Sequence, residues 1–313
     1  MSTAQIRTTA ASSSINETLR EIWTQVTPND TDTLDQLRID DDIDFGRARH
    51  GVWDSDTGVM IPLTMEWIER GQMRRGTIVF ALSPTRLVTL QPERPLSLFD
   101  KALARLRRQP DLAATPQSVT YALLYAINDA ADRVINSASE DLEAMAEEIE
   151  QASAGVNAAG RDIGVADAQE VMANLSAVEQ GISRSQESQL ELARAARHLL
   201  TETTNRELRE DITTLVGDIE GVLRHAEFEH DKIRYLQQAL MTTLDIKQNQ
   251  IVKVFTIITA VFLPPTLIAS FYGMNFTHMP ELDWANGYPV TIMLTVVAAV
   301  IPLWYIKRKG WLR

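Results

Sequence analysis

The stretch 249-NQIVKVFTIITAVFLPPTLIASFYGMNF-276 decides the fold of this chain. From residue 254 to residue 272 it carries no charge, and a second uncharged run, 288-YPVTIMLTVVAAVIPLWYI-306, follows after a short polar loop. Each run is close to the ~20 residues that cross a hydrocarbon core as a helix. The sequence therefore predicts two transmembrane helices, at about 252–272 and 288–306, joined by an extracytoplasmic loop at 273–287.

The charges around these runs predict their orientation. The loop contains Glu281 and Asp283 but no Lys or Arg, whereas basic residues lie on the other side of both runs. These residues are Lys247, Lys253, Lys307, Arg308, Lys309 and Arg313. Because basic residues stay on the cytoplasmic side, we expect both termini in the cytoplasm of a bacterium and the spans in its inner membrane. The two loop carboxylates would attract cations to the outer face.

Composition excludes several classes of function. The 313 residues carry a formal net charge of −12, which argues against a nucleic-acid surface and fits a cation as the partner. The chain has no cysteine, so disulfides and thiolate metal sites are excluded. We find no phosphate-binding loop, nucleophile elbow or metalloprotease motif, and we therefore expect neither an enzyme nor a bound cofactor.

The region before the membrane predicts an α+β domain followed by long helices. We expect a disordered tail at 1–18, a cytoplasmic α/β domain with following helices at 19–165, a helical stalk at 166–250 and the transmembrane domain at 251–313. Short β-rich runs at 61–69 and 76–92 are separated by Gly, Pro and Asp, which favours a sheet.

The stalk predicts one very long helix. From Asn205 to Gln250 there is no proline, and a helix that continues to Tyr272 would be about 100 Å long at 1.5 Å per residue. Apolar residues at mostly 3–4 spacing predict its packed face: Leu208, Ile212, Leu215, Ile219, Val222, Phe228 and Leu236. Because such a helix needs neighbours, we expect several copies to associate.

One face of the first membrane helix is rich in hydroxyls. Its 3–4 ladder is Asn249, Val252, Thr256, Thr259, Leu263, Thr266, Ser270 and Gly273. Small residues of this kind also allow close helix–helix packing in membranes. The alternative is a pore lined by uncharged oxygen atoms, with Leu263 as an apolar constriction. Since two spans cannot enclose a pore, this alternative requires a ring of subunits.

The C-terminal segment resembles the CorA family of magnesium and divalent-cation transporters. The resemblance rests on the quoted stretch from Asn249, followed in order by MPEL, WANGYPV and KRKGWL, and it covers about a fifth of the 313 residues closely. It implies a funnel-shaped homopentamer in the lipid bilayer. Gly273, Met274 and Asn275 would form the selectivity filter, where amide oxygens hold a hydrated divalent cation.

The resemblance also implies the remaining sites. By matching positions, the pore would be lined by Asn249, Thr256, Leu263, Thr266 and Ser270. Ser270 stands where the family commonly has Gly, and Gln238 replaces the family's acid on the stalk, so that regulatory site does not transfer intact. Mg²⁺ would be the substrate, and also a possible regulatory ligand of the acidic run Asp40, Asp41 and Asp42. The acidic helix 140–150 is a second candidate, and a solvated acidic face without a bound ion is the favoured alternative for each run.

Two other functions stay open. A zinc transporter of the related ZntB branch shares the architecture, although retention of Gly-Met-Asn favours magnesium with Co²⁺ or Ni²⁺ as further substrates. A membrane-anchored helical scaffold or sensor without transport would make the hydroxyl stripe dispensable. His225 and Glu229 share one helical face, but we expect ordinary stalk surface there.

Overall fold

The computed structural model describes residues 17–48, 51–93, 96–153, 165–274 and 284–310. Apart from residues 17 and 18, the predicted tail lies outside these ranges. The strands are β1 (Trp23–Val26), β2 (Trp53–Ser55), β3 (Gly58–Glu69), β4 (Gln72–Leu82) and β5 (Leu87–Leu90). The α-helices are α1 (Thr31–Asp40), α2 (Asp100–Arg108), α3 (Pro116–Ser153), α4 (Val165–Glu202), α5 (Arg206–Tyr272) and α6 (Gly287–Arg308), with 3₁₀ turns at Ser97–Phe99 and Pro110–Ala113.

The strands form one mixed sheet in the order β1-β5-β4-β3-β2. The two predicted β-rich runs are confirmed as parts of β3, β4 and β5. The β3–β4 hairpin turns at Arg70 and Gly71, whose φ angles are 50° and 75°. Positive φ at both central residues is the geometry of a tight hairpin turn, and glycine adopts it without strain. β1 pairs in parallel with β5 and closes one edge of the sheet.

Helices cover both faces of this sheet. On one face, Leu63, Ile78 and Phe80 belong to a large core that also includes residues of α2, α3, α4 and α5. On the other face, Met60 and Val88 pack with Leu37 of α1. Burying an apolar side chain of this size stabilises the fold by roughly 1.5–3 kcal/mol. The result is the predicted α+β domain, with its sheet held between helices.

Three long helices extend from this domain toward the apolar C-terminal segment. α3, α4 and α5 pack along one another around a second core, which contains Ile135, Leu142, Leu175, Ile182 and Ile233. The predicted long helix is confirmed, since α5 runs for 67 residues without interruption. The soluble domain and the first apolar run therefore share one continuous helix.

α4 ends and α5 begins within three residues, and side chains cap both helix ends. The Asn205 side-chain oxygen accepts hydrogen bonds from the backbone N–H groups of Glu207, at 2.9 Å, and Leu208, at 3.2 Å. Arg209 Nη1 donates to the carbonyls of Leu200 and Thr203, at 2.6 and 2.9 Å, which satisfies the end of α4. These caps satisfy backbone groups that a helix end leaves unpaired.

Two expectations about the stalk face are wrong. The 3–4 spacing predicts Phe228 on the packed face, but its side chain is 65% exposed. The buried positions nearby are Ala226, Glu229 and Ile233. Glu229 is therefore not ordinary surface, because it accepts a hydrogen bond of 2.8 Å from Ser139 of α3 and lies 3.5 Å from His225. The 3–4 pattern of apolar residues did not reveal this shift because a carboxylate occupies one of the buried positions.

A second buried carboxylate lies on β3. The Glu66 side chain is 3% exposed, and its Oε1 lies 3.7 Å from Arg184 Nη1 on α4. Its Oε2 has no hydrogen-bond partner within the described residues. Burial raises the pKa of Glu66 above the ordinary value of 4.5, although the charges of Arg184 and Arg75 act in the opposite direction. Folding therefore shifts the equilibrium of this carboxyl group toward its protonated form.

Replacing Glu66 by glutamine should change how stability depends on pH. A folded-state pKa above the unfolded value gives a stabilising contribution that is complete below the unfolded pKa and is lost as pH rises through the folded pKa. The wild type should therefore lose unfolding free energy relative to Glu66→Gln as pH rises from the ordinary value of 4.5 through the raised folded-state pKa. Thermal unfolding of both proteins, followed by circular dichroism across this range, measures the difference. Parallel stability curves would contradict the burial argument.

Candidate pore face on the first apolar helix

Two helices are long and apolar enough to cross a membrane: the C-terminal part of α5, and α6. Both coincide with the predicted runs. In the single chain none of the apolar window of α5 is buried, and only 6% of that of α6. Apolar surface of this extent must be covered by lipid or by other subunits. The two helices pack against each other at this end of the chain.

The predicted hydroxyl stripe lies on an open face of α5. All eight residues of the ladder from Asn249 to Gly273 are exposed. The half-buried positions of the same segment recur at 3–4 spacing on another face: Lys253, Ile257, Ala260, Val261, Pro264, Pro265, Ile268 and Tyr272. Contact between the stripe and α6 therefore does not explain the hydroxyls.

α6 contributes its own small residues to the contact with α5. Its less exposed positions are Gly287, Thr291, Thr295, Ala298, Ala299, Pro302 and Ile306. Small side chains let the two backbones approach closely without needing the α5 hydroxyls. Within the chain, α5 and α6 therefore pack through residues outside the stripe. The stripe remains available to contact a neighbouring subunit or to line a water-filled path.

Three hydroxyls of the stripe have a defined orientation. Thr256, Thr259 and Thr266 donate to the carbonyl four residues earlier, at 2.8, 2.9 and 2.7 Å. A hydroxyl that donates its hydrogen to the backbone has only acceptor lone pairs left to offer. Water bound to a cation offers hydrogens. The stripe is therefore suited to accept hydrogen bonds from a hydrated cation.

Leu263 is an apolar member of this stripe next to two prolines, and Phe255 lies in the same groove. Phe255 and Leu263 are 68% and 65% exposed. Pro264 and Pro265 lie inside the helix and cannot donate to the carbonyls four residues earlier. A surface groove of about 480 Å³ lies beside them, and its lining is Val252, Phe255, Thr256, Thr259, Ala260, Leu263 and Pro264. Polar and apolar side chains thus alternate along one groove of α5.

The helix ends at the first residues of the predicted filter. The Gly273 N–H donates to the Ala269 carbonyl at 2.9 Å. A Cβ added to Gly273 would lie 3.0 Å from that carbonyl oxygen, a tight contact that a shift of a few tenths of an ångström would relieve. Met274 is 39% exposed. Asn275, and the loop residues Glu281 and Asp283, lie outside the described residues.

The acidic run at the end of α1 is engaged by arginines. Arg86 Nη1 lies 3.0 Å from Asp41 Oδ2, and Arg47 Nη1 lies 3.6 Å from Asp42 Oδ1. Asp40 is exposed. Across the described ranges, no three Asp, Glu or His side chains of the single chain come together in a geometry that could hold a metal ion. A regulatory Mg²⁺ site at this run stays a prediction that needs ligands from a neighbouring subunit.

Sequence reasoning missed a polar pocket between α3 and α5. It has a volume of about 390 Å³ and is lined by Tyr125, Asn128, Asp129, Asp132, Gly217, Asp218, Gly221, Val222 and His225. Asn128 is 8% exposed, and its Oδ1 has no partner within the described residues. The available signal was the pair Gly217 and Gly221, since glycines four residues apart leave a helix face without side chains.

Fold and site together define a class of membrane protein. In this class an α+β soluble domain is connected by one long helix to the membrane, and the C-terminal part of that helix is the first of two candidate spans. Residues 21–308 match the family described as CorA-like Mg²⁺ transporter protein. The chain belongs to this family, and the resemblance inferred from the C-terminal motifs is confirmed.

Curated relatives agree with this assignment. The chain is 50% identical over 103 residues to the "Magnesium transport protein CorA" of Sodalis glossinidius (strain morsitans). It is 48% identical over 103 residues to the protein of the same name from Escherichia coli (strain K12). Each match spans 33% of this chain and 33% of the relative.

Solved structures share the fold over nearly the whole chain. The CorA magnesium transporter from Methanocaldococcus jannaschii superposes with a TM-score of 0.71 at 19% identity, and the match covers 93% of this chain and 92% of that one. The full-length CmaX protein gives a TM-score of 0.59 at 17% identity, with 92% and 88% covered. At these identities the likeness shows the fold.

Proposed function

We propose that this chain carries divalent metal cations, above all Mg²⁺ and also Co²⁺ or Ni²⁺, passively across a membrane. The observation that carries the proposal is the exposed stripe of acceptor oxygens on α5, which faces away from α6. Mg²⁺ gives up its hydration water reluctantly, so uncharged acceptors that bind this water suit it better than a dehydrating cage. The family description and the names of the curated relatives support the same ion.

The pore would be built by a homopentamer. Two spans cannot surround a water-filled path, so the stripes of several α5 helices must face a common axis. In this arrangement Asn249, Thr256, Thr266 and Ser270 present oxygen atoms to the path, while Leu263 narrows it. An apolar ring can close a pore by excluding water, which gives Leu263 the role of a gate.

The outer mouth would be formed by Gly273, Met274 and Asn275. Glycine suits this position, because a Cβ at Gly273 would lie 3.0 Å from the Ala269 carbonyl oxygen. Asn275 would place amide oxygens around the axis, and Glu281 and Asp283 would raise the local cation concentration in front of them. Selection would then depend on hydrogen bonds to the ion's water shell.

The membrane potential would drive uptake. A divalent cation that moves inward gains about 4.6 kcal/mol per 100 mV, twice the ~2.3 kcal/mol of a single charge. Accumulation against a gradient therefore requires no ATP. Transport without ATP agrees with a sequence in which we find no phosphate-binding loop.

Uptake into proteoliposomes tests the function. The purified chain is reconstituted into vesicles that contain a fluorescent Mg²⁺ indicator, and an inside-negative potential is imposed. We expect Mg²⁺ entry that falls when the potential is removed. Proton-linked Zn²⁺ movement without Mg²⁺ entry would assign the chain to the ZntB-like alternative. The absence of any divalent flux would leave the scaffold or sensor alternative.

A further inference from the structure

A basic pocket of about 700 Å³ lies between α2 and α3, away from the pore face. Its lining is Lys101, Ala104, Arg105, Arg108, Gln109, Tyr125 and Asp129. Three cations and one carboxylate leave an excess of two positive charges, in a chain whose net charge is −12. The pocket is thus a local exception to the acidic character of the protein and favours an anion.

Arg105 is fixed at the centre of this pocket. Its Nη2 donates to the Tyr121 hydroxyl at 3.0 Å. Its guanidinium carbon lies 4.1 Å from the centre of the Tyr125 ring and 5.3 Å from that of Tyr121. A guanidinium has five N–H donors, and the tyrosine hydroxyl uses one of them. Because the rings already hold the group in place, little side-chain entropy is lost when the other donors bind a ligand.

Two more cations flank this fixed group. Lys101 Nζ lies 2.6 Å from Asp129 Oδ2, and the same carboxylate is paired with Arg133. Asp129 is thus shared by two cations, which weakens its repulsion of an anion. Arg108 lines the pocket, is exposed, and forms no ion pair with another described residue. It is free to turn toward a ligand.

The end of α2 does not by itself explain these cations. Its last turn carries Arg105, Arg107 and Arg108, and positive charge there interacts favourably with the helix dipole. Arg107, however, lines a different pocket, beside Arg20 and Trp23. A role at the helix end requires neither the two tyrosine rings nor a cavity. Arg107 and Arg108 therefore separate the two explanations.

The position of the pocket excludes a lipid headgroup as its ligand. Tyr125 also lines the neighbouring pocket, together with Gly217 and Gly221 of α5. From Gly221 to Val254, the first residue of the apolar run, α5 extends about 50 Å at 1.5 Å per residue. The pocket therefore lies far from the apolar run, where the aqueous phase supplies its ligands.

We propose that this pocket binds a small soluble polyphosphate anion. Phosphate oxygens match the planar fork of a guanidinium, and two linked phosphates can contact Arg105 and Arg108 together. A volume of about 700 Å³ exceeds the need of one phosphate and lies in the range of small-molecule sites. This proposal does not rest on the proposed transport activity, because the residues that line the pocket lie on α2 and α3 or directly after α2.

Pyrophosphate titration of the full chain in detergent tests this site. Isothermal calorimetry is performed with wild type, Arg108→Glu and Arg107→Glu, in buffer depleted of divalent cations. Both variants change the net charge by the same amount, and both residues are exposed. We expect saturable binding that weakens by about tenfold or more in Arg108→Glu, which loses a charge-assisted hydrogen bond. The affinity of Arg107→Glu should stay within about twofold of that of wild type, because this variant changes only the long-range electrostatic attraction.

Two results would overturn the proposal. Absence of saturable heat from the folded wild type would show that the pocket binds no polyphosphate. Equal loss of affinity in Arg107→Glu and Arg108→Glu would assign the cations to the helix end and to general electrostatics. Thermal unfolding of each variant in the same detergent checks that the folds are comparable.

Discussion

Replacing Asn275 by alanine should reduce potential-driven Mg²⁺ uptake by more than about tenfold. A hydrogen bond to a charged group is worth about 1.5–3 kcal/mol, and a symmetric ring would lose one such acceptor from every subunit. The ion's water shell would then meet a methyl group at the narrow mouth, without the oxygen atoms that select it. Initial rates in vesicles of matched protein content, under a fixed inside-negative potential, measure the loss.

Asn286 provides a matched control for this substitution. It lies at the start of α6, and its side chain makes no capping hydrogen bond to the helix. Asn286→Ala should therefore transport Mg²⁺ at a rate close to wild type. Uptake by Asn275→Ala at the wild-type rate would exclude an amide filter at this position. Equal loss in both variants would indicate damage to the loop as a whole.

The membrane part of the fold could be predicted from sequence because its determinants are local. The absence of charge over 254–272 and the spacing of hydroxyls around Leu263 are properties of one helix, and helical periodicity converts them directly into faces. The direction of the stripe could not be predicted. It depends on which face α6 covers, and that choice is made by small residues such as Ala298 and Thr295 on another helix.

The soluble domain was less predictable because its contacts are distant in sequence. β1 has only four residues and pairs with β5, so that Trp23 lies opposite Leu87. Four residues are too few for a local sequence pattern to predict such a strand. The same reason applies to the basic pocket, where Arg105 of α2 meets two tyrosines of α3. The burial of Glu229 does not follow from the apolar pattern, because a buried carboxylate is rare and its partners Ser139, His225 and Lys232 leave no signal in that pattern.

The continuous α5 helix connects these two parts physically. Its first half is buried against α3 and α4, whereas its second half exposes the stripe. No loop separates the soluble domain from Leu263 along this helix. The prediction that a ligand of the soluble domain regulates the pore therefore has this helix as its physical connection.

A pair of neighbouring single-cysteine variants tests the direction of the stripe. The chain has no native cysteine, so Thr266→Cys and Leu267→Cys each introduce the only thiol. Both residues are exposed in the single chain, with Leu267 at 70%, but they lie about 100° apart around the helix. A pore places Thr266 in water and Leu267 in lipid.

We expect a water-soluble, positively charged thiosulfonate to modify Thr266→Cys and to abolish its Mg²⁺ uptake. A ring of introduced positive charge at the pore axis repels a divalent cation, and the effect should approach complete loss. Leu267→Cys should react slowly and retain its uptake, because only the thiolate reacts and it does not form in lipid. Mass spectrometry of labelling and vesicle uptake, measured on the same samples, give both readouts. Equal labelling of the two cysteines would show that the hydroxyl face does not border a water-filled path.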